Sequence, residues 1–279
     1  EDGIRDRDVT GVQTCALPIS AMFLYGVVNA SPDSLNTDSI ALDATAATRR
    51  AEYLLANGCD GIDLGGQGST DNATVVPWQE EWERLESIVK ALAAFGVPLS
   101  IDSWKPEVAR VAVAHGAAIV NDTGGMQQAA MREVVRDAGT WCVAMHIEGD
   151  NPLAVEMREL EGDRPAAVAA GLGRLVAELA AEGIDRVIVD PGLSINYRSD
   201  YARYGQLQLE TIRRMAELRA TGAPVLLPVP RKAEDHRMHA YLVLSIEYGA
   251  DVIRVHDVEA ACDLVPLLGR RLGADSIAR

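Results

Sequence analysis

From Met22 onward one unit recurs along the chain: a short apolar run, a polar loop, and a longer stretch whose apolar residues fall at helical spacing. Eight apolar runs read as strands, at 22–28, 61–64, 97–101, 117–120, 140–145, 186–189, 224–229 and 251–255. Between them, segments such as 44–57 set Ala47, Ala51, Leu54 and Leu55 on one helical face. Gly58, Gly96, Gly116, Gly139, Gly183, Gly222 and Gly249 follow seven of the helical stretches, where a left-handed residue ends a helix. Strands alternating with helices predict a parallel sheet, and eight such units predict an α/β fold, the (β/α)₈ TIM barrel. A doubly wound open sheet is the runner-up, but no GxGxxG turn follows the first strand. The 279 residues suit one barrel, and no linker or compositional shift marks a second domain.

The expected domain therefore spans 22–279. Residues 1–21 show neither helical nor strand periodicity and are expected to be a non-native or disordered extension. Their acidic start and short apolar patch, broken by Pro18, do not fit a secretory signal.

Charge narrows the partners. Against 26 Lys and Arg stand 41 Asp and Glu, a net charge of −15. Such a surface repels nucleic acid and anionic membranes, so an anionic ligand must be gripped by local donors. No apolar run approaches the roughly 18 residues that would span a bilayer. Cys15, Cys59, Cys142 and Cys262 show no CxxC or metal-ligand spacing and are expected to be buried, reduced thiols of a cytoplasmic protein.

In a barrel the chemistry gathers where strands end. Those positions carry Asn29, Asp63, Asp102, Asn121, Asp122, His146, Asp190, Arg231, Lys232, Arg254, His256 and Asp257. An Asp or Asn after a strand often only forms a turn or caps a helix. Burying so many polar groups at one mouth without a ligand would nevertheless be costly. Asp102, Asn121, Asp190 and Lys232 suit a flat heterocycle bearing amino, amide and ring-nitrogen groups. Arg254 and His256 supply positive charge where barrels often hold phosphate.

The strand-end segments GVVNASPDSL, IDLGG, SIDSWKPEVA, IVNDTGG, the pair Met145–His146, VDPG, PRK and IRVHDV resemble dihydropteroate synthase, in order and over nearly the whole barrel. That family joins 6-hydroxymethyl-7,8-dihydropterin diphosphate to p-aminobenzoate and releases pyrophosphate in folate biosynthesis. The resemblance implies that Asp102, Asn121, Asp190 and Lys232 hold the pterin ring. It implies that Asn29 lies near the diphosphate and its Mg²⁺, and that Arg254 and His256 hold the diphosphate as it departs, with Lys232, Arg254 and His256 as the catalytic set. A cytoplasmic homodimer is implied as well.

The departures from the family pattern fall on the arylamine side. GGESTRPG becomes GGQGSTDN after the second strand, with an added residue and no Arg. Ile195 replaces a Phe that packs on the arylamine, Ala233 a Ser that helps bind its carboxylate, and Leu35 another aromatic. Three activities follow as expectations: a divergent synthase; a pterin-binding paralogue with another acceptor or none; and a pterin-dependent methyltransferase, which retention of Arg254 and His256 disfavours.

Other features invite blander readings. His236 and His239 have no apparent third metal ligand and suit a solvent-facing helix. Trp78 and Trp82, i and i+4, are expected to cover one helix face, and the acidic run at 156–163 to be a solvated loop or helix. His146 suits a supporting role as well as direct contact with a ligand.

Overall fold

The computed structural model describes residues 22–33, 37–69, 73–155, 162–193, 195, 201–229 and 235–269. The expected extension at 1–21, Cys15, Leu35, residues 156–161 of the acidic run, Arg231, Lys232 and Ala233 lie outside them.

Eight strands form one parallel sheet: β1 (Phe23–Asn29), β2 (Gly61–Gly65), β3 (Leu99–Asp102), β4 (Ile119–Asp122), β5 (Trp141–Met145), β6 (Val187–Asp190), β7 (Leu226–Pro228) and β8 (Val252–Val255). Their order is β6-β5-β4-β3-β2-β1-β8-β7. A bridge between Val189 and Val225 joins the ends into a barrel. Around it run α1 (Ala44–Ala56), α2 (Trp78–Ala93), α3 (Pro106–Ala114), α4 (Ala129–Ala138), α5 (Arg164–Ala181), α6 (Tyr201–Arg213), α7 (Met215–Arg219), α8 (Asp235–Glu247) and α9 (Val258–Leu264). The barrel expectation holds. The helical segment before β7 is divided at Arg214, so the described residues carry nine α-helices rather than eight. All seven expected capping glycines have positive φ. Gly139 shows the logic: at φ 60° it closes α4, its N–H returning to the carbonyls of Val135 and Arg136.

Strand alternation places the site. On the barrel face, Phe23, Tyr25, Ile119, Val143, Ile188, Leu226 and Val252 fill the lower interior. A Cβ at Gly61 would lie 2.9 Å from the Tyr25 ring and 3.0 Å from that of Phe23, so only glycine leaves room there. Two residues further along each strand the same face must recur. There Ile119 gives way to Asn121, Ile188 to Asp190, Val252 to Arg254 and Gly61 to Asp63, while Ser100 is followed by Asp102. The opposite face, including Leu24, Val28, Ile62, Leu64, Ile101, Val120, Val189 and Ile253, packs beneath the helices.

Trp78 and Trp82 are half-buried against this outer core, as their spacing predicts. Cys59 and Cys142 are buried, and burial pushes both thiols up to about 12. Cys262 departs from expectation and is exposed. It follows Ala261, whose side chain faces the core, and the helical turn of one residue carries it off that face. No described helix is long and apolar enough to cross a membrane.

Candidate active site

Asp63 is the hub of the barrel mouth, with a relative exposure of 2%. Its Oδ1 accepts from Ser100 Oγ at 2.6 Å, and Asn121 Nδ2 lies 3.3 and 3.4 Å from its two oxygens. Arg254 Nε donates to Asp63 Oδ2 at 2.5 Å, and its Nη2 to Asp102 Oδ2 at 2.9 Å. Thr123 Oγ1 donates to the other Asp102 oxygen at 3.4 Å. One guanidinium thus ties β8 to β2 and β3 across the opening. Burial works against the Arg254 cation, but Asp63 and Asp102 outweigh it and hold its pKa above the ordinary value.

Asp190, at the end of β6, is buried and accepts a 2.7 Å hydrogen bond from Gly192 N–H. Burial pushes its carboxyl up to about 7, against the pull of Gly192 and of Arg254. Burial also raises Asp102, with Arg254 opposing and Asp63 and Glu81 adding to the rise. Carboxyls of this kind gain an ionised state when a ligand brings N–H donors to them. A planar ring with an amino and amide edge is such a ligand.

Nearby, Asn29 Nδ2 donates to Ser39 Oγ at 3.0 Å, and Ser39 Oγ lies 3.4 Å from His256 Nδ1. Arg50, reaching up from α1, donates to the His256 carbonyl at 2.8 Å. The structure therefore brings Asp102, Asn121 and Arg254 into one hydrogen-bonded group, and Asn29 and His256 into another through Ser39. Asp190 is close enough to Arg254 and Asp63 to feel both charges. Lys232 lies outside the described residues.

Other strand-end residues fulfil the modest roles their types suggest. Asp122 points to the outer face, and its two oxygens accept from Gly124 and Met126 N–H, each at 2.7 Å, shaping the turn after β4. That turn holds Met126 at φ 56°, an uncommon conformation for a residue with a Cβ. Asp257 caps α9 through Ala260 N–H. His146 is half-buried, and burial together with Arg164 pushes it down to about 4, so it is neutral near pH 7. Its backbone N–H donates to the Asp190 carbonyl at 2.7 Å, and its Nε2 lies 3.4 Å from Glu148, which pairs with Arg164. His236 is exposed, His239 Nε2 lies 3.9 Å from Asp257, and the described residues contain no cluster of three acidic, His or Cys groups fit for a metal. Ile195 is buried beside Gly192, whose carbonyl accepts its N–H at 3.3 Å.

Sequence reasoning named Asp63 but assigned it no role, and it passed over Ser39, Ser100 and Arg50. For Asp63 and Ser100 the signal was available: both stand an even number of residues from a barrel-facing neighbour. Ser39 and Arg50 gave none, because their partner His256 lies 217 and 206 residues away.

A family profile described as pterin binding enzyme matches residues 25–256. Dihydropteroate synthase from Neisseria meningitidis serogroup B is 32% identical over 86% of this chain and 89% of its own. That from Mycobacterium leprae is 31% identical over 92% and 96%. Among solved structures, dihydropteroate synthase from Thermus thermophilus in complex with 4-aminobenzoate superposes with a TM-score of 0.77 at 29% identity, covering 90% of this chain and 95% of that one. The Burkholderia cenocepacia enzyme complexed with 7,8-dihydropteroate gives 0.75 at 29% identity, over 93% and 94%.

Proposed function

This chain belongs to the pterin binding enzyme family, among the dihydropteroate synthases, and from that premise we propose how its residues carry out the reaction. It is a transferase of folate biosynthesis that joins 6-hydroxymethyl-7,8-dihydropterin diphosphate to p-aminobenzoate and releases pyrophosphate. The observation that carries the residue assignment is the buried polar group of Asp63, Asp102, Asn121 and Arg254, with Asp190 beside it, at the mouth of an otherwise apolar barrel.

In this reading Asp190, ionised on binding, accepts the amino and ring N–H edge of the pterin, a charge-assisted bidentate contact. Asp102, Asn121 and Lys232 meet the remaining ring polar atoms. Asp63 contacts no substrate in this assignment. It fixes the orientation of Asn121 and Arg254. Arg254 uses Nε and Nη2 on carboxylates, and its Nη1, which takes part in neither pair, is assigned to the diphosphate together with His256. The pterin methylene–oxygen bond breaks with its electron pair leaving on the diphosphate. The arylamine nitrogen then forms the new C–N bond and gives up a proton. Catalysis is therefore stabilisation of a departing anion and placement of the amine.

Mg²⁺ fits this arrangement as an ion carried largely by the substrate. A Cβ built at Gly65 would lie 3.6 Å from Asn29 Oδ1, so that oxygen is turned toward the end of β2 at the mouth, and Mg²⁺ takes few protein oxygens when phosphate and water supply the rest. Bound there, the ion would neutralise charge on the leaving diphosphate. We further assign the protein to the cytoplasm, which the buried thiols of Cys59 and Cys142 support. A homodimer, implied by the family resemblance, is checked by sedimentation.

Calorimetric titration with the pterin diphosphate and Mg²⁺, followed by p-aminobenzoate with a pyrophosphate assay, tests the whole reading. Binding and then p-aminobenzoate-dependent release is expected. Binding without release would reassign the acceptor, and no binding would overturn the site.

A further inference from the structure

The loop after β2 leaves the barrel at Gly66 and returns to α2 at Pro77, and its two ends meet. Gln67 Oε1 accepts from Val76 N–H at 3.2 Å. Lys105, three residues beyond Asp102, inserts its ammonium into this neck. It donates to Gln67 Oε1 at 2.5 Å, to the Val76 carbonyl at 2.6 Å and to Glu81 Oε2 at 2.6 Å. An ammonium has three N–H donors, and these contacts use all of them. The Lys105 side chain is 12% exposed and that of Glu81 1%. Just inside the neck, Gly68 lies against Ser31 and Asp33 of the loop after β1: a Cβ there would be 3.6 Å from Ser31 Oγ and 3.8 Å from Asp33 Cβ. Ser31 is two residues beyond Asn29, so the neck abuts the side of the mouth assigned to the diphosphate.

Stability alone does not account for this arrangement. Glu81 Oε1 and Gln67 Nε2 are both buried and, among the described residues, have no hydrogen-bond partner. A buried ion pair seldom outperforms an apolar contact, and leaving polar atoms unpaired around it makes the comparison worse. Such departures from good packing concentrate where function requires them.

We propose that Lys105 is a positioning residue for the transfer: by clasping Gln67, Val76 and Glu81 it holds the neck of the β2–α2 loop against the β1–α1 loop and so shapes the diphosphate end of the site. The proposal rests on the pterin diphosphate reading given above. It separates the two ends of one substrate. Loosening the clasp should weaken recognition of the diphosphate and leave recognition of the ring intact.

Lys105→Met strands the Glu81 carboxylate and risks misfolding. Two other variants avoid this: Gln67→Ala, which keeps the ion pair, and the double variant Lys105→Met with Glu81→Gln, which removes both charges. Dissociation constants are measured calorimetrically for 6-hydroxymethyl-7,8-dihydropterin and for its diphosphate with Mg²⁺, alongside KM and kcat. Both variants are expected to bind the diphosphate about tenfold more weakly, the scale of one lost hydrogen bond, and Gln67→Ala, which keeps the Glu81 charge that Asp102 feels, to bind the unphosphorylated pterin within about twofold of wild type. KM for the diphosphate should rise by more than kcat falls. Equal losses for both ligands in Gln67→Ala would show general loosening and overturn the proposal, as would diphosphate affinity unchanged in both variants. Wild-type protein that binds neither ligand would overturn the site reading itself and the clasp with it.

Discussion

Burial raises the Asp190 carboxyl to about 7, and the single N–H of Gly192 only partly opposes it. Such an acid binds its proton more tightly in the folded chain than in the unfolded one. Its contribution to stability is therefore full below the ordinary carboxylate pKa and is lost as pH rises through about 7. Asp190→Asn should accordingly gain on the wild-type Tm as pH is raised from about 5 to about 8; a gap that does not change with pH would refute the assignment. Asp190→Ala is expected to weaken pterin binding by about 3 kcal/mol or more, because a polar ring edge is left without its acceptor. Arg254→Met should do more than weaken the diphosphate. It leaves Asp63 and Asp102 facing each other without their cation, at a cost of about 3–5 kcal/mol in denaturant unfolding. At this scale the sequence revealed residue types and strand ends but not pairings. Asp63 and Arg254 are 191 residues apart, and no local pattern links them. What was legible was parity, since Asp63, Ser100, Asp102, Asn121, Asp190 and Arg254 all take the barrel face of their strands. Lys232 is legible as a strand-end cation, and its assignment to the pterin comes through the family resemblance.

Elements were far easier to read than pairings. Each strand announces itself as an apolar run ending in a polar residue, and most helices by a stripe and a terminal glycine. The boundaries moved for local reasons. β3 begins at Leu99 rather than 97 because Pro98 has no N–H to give to a ladder and contributes only its carbonyl, to Ile62. β7 shrinks to three residues. Val225 N–H there is taken by the Asp251 side chain at 3.0 Å, and Pro228 again lacks a donor. Helix starts follow the capping rule at Asp43, Asp163 and Asp257, whose carboxylates accept N–H groups three residues on. Asp43→Ala should cost about 1 kcal/mol by chemical denaturation and leave kcat unchanged, since this cap serves α1 alone. A loss of activity without a loss of stability would contradict that division.

The whole molecule closes unevenly. Five residues of β1 pair with β2, whereas among the described residues β6 meets β7 at one bridge, Val189 to Val225, with Val189 N–H reaching Pro224 O at 2.9 Å. Amide exchange at Val189 should therefore outpace that at Val27 and Val28; equal protection would show a barrel without a weak seam. Asp190 stands on one side of that seam and Arg254 on the other. A substrate whose ring meets Asp190 and whose diphosphate meets Arg254 acts as a rivet across the slit, so that occupancy and cylinder integrity become one equilibrium. The lifetime of this protein in a proteolytic environment would then follow its supply of substrate, with hungry molecules cleared before fed ones.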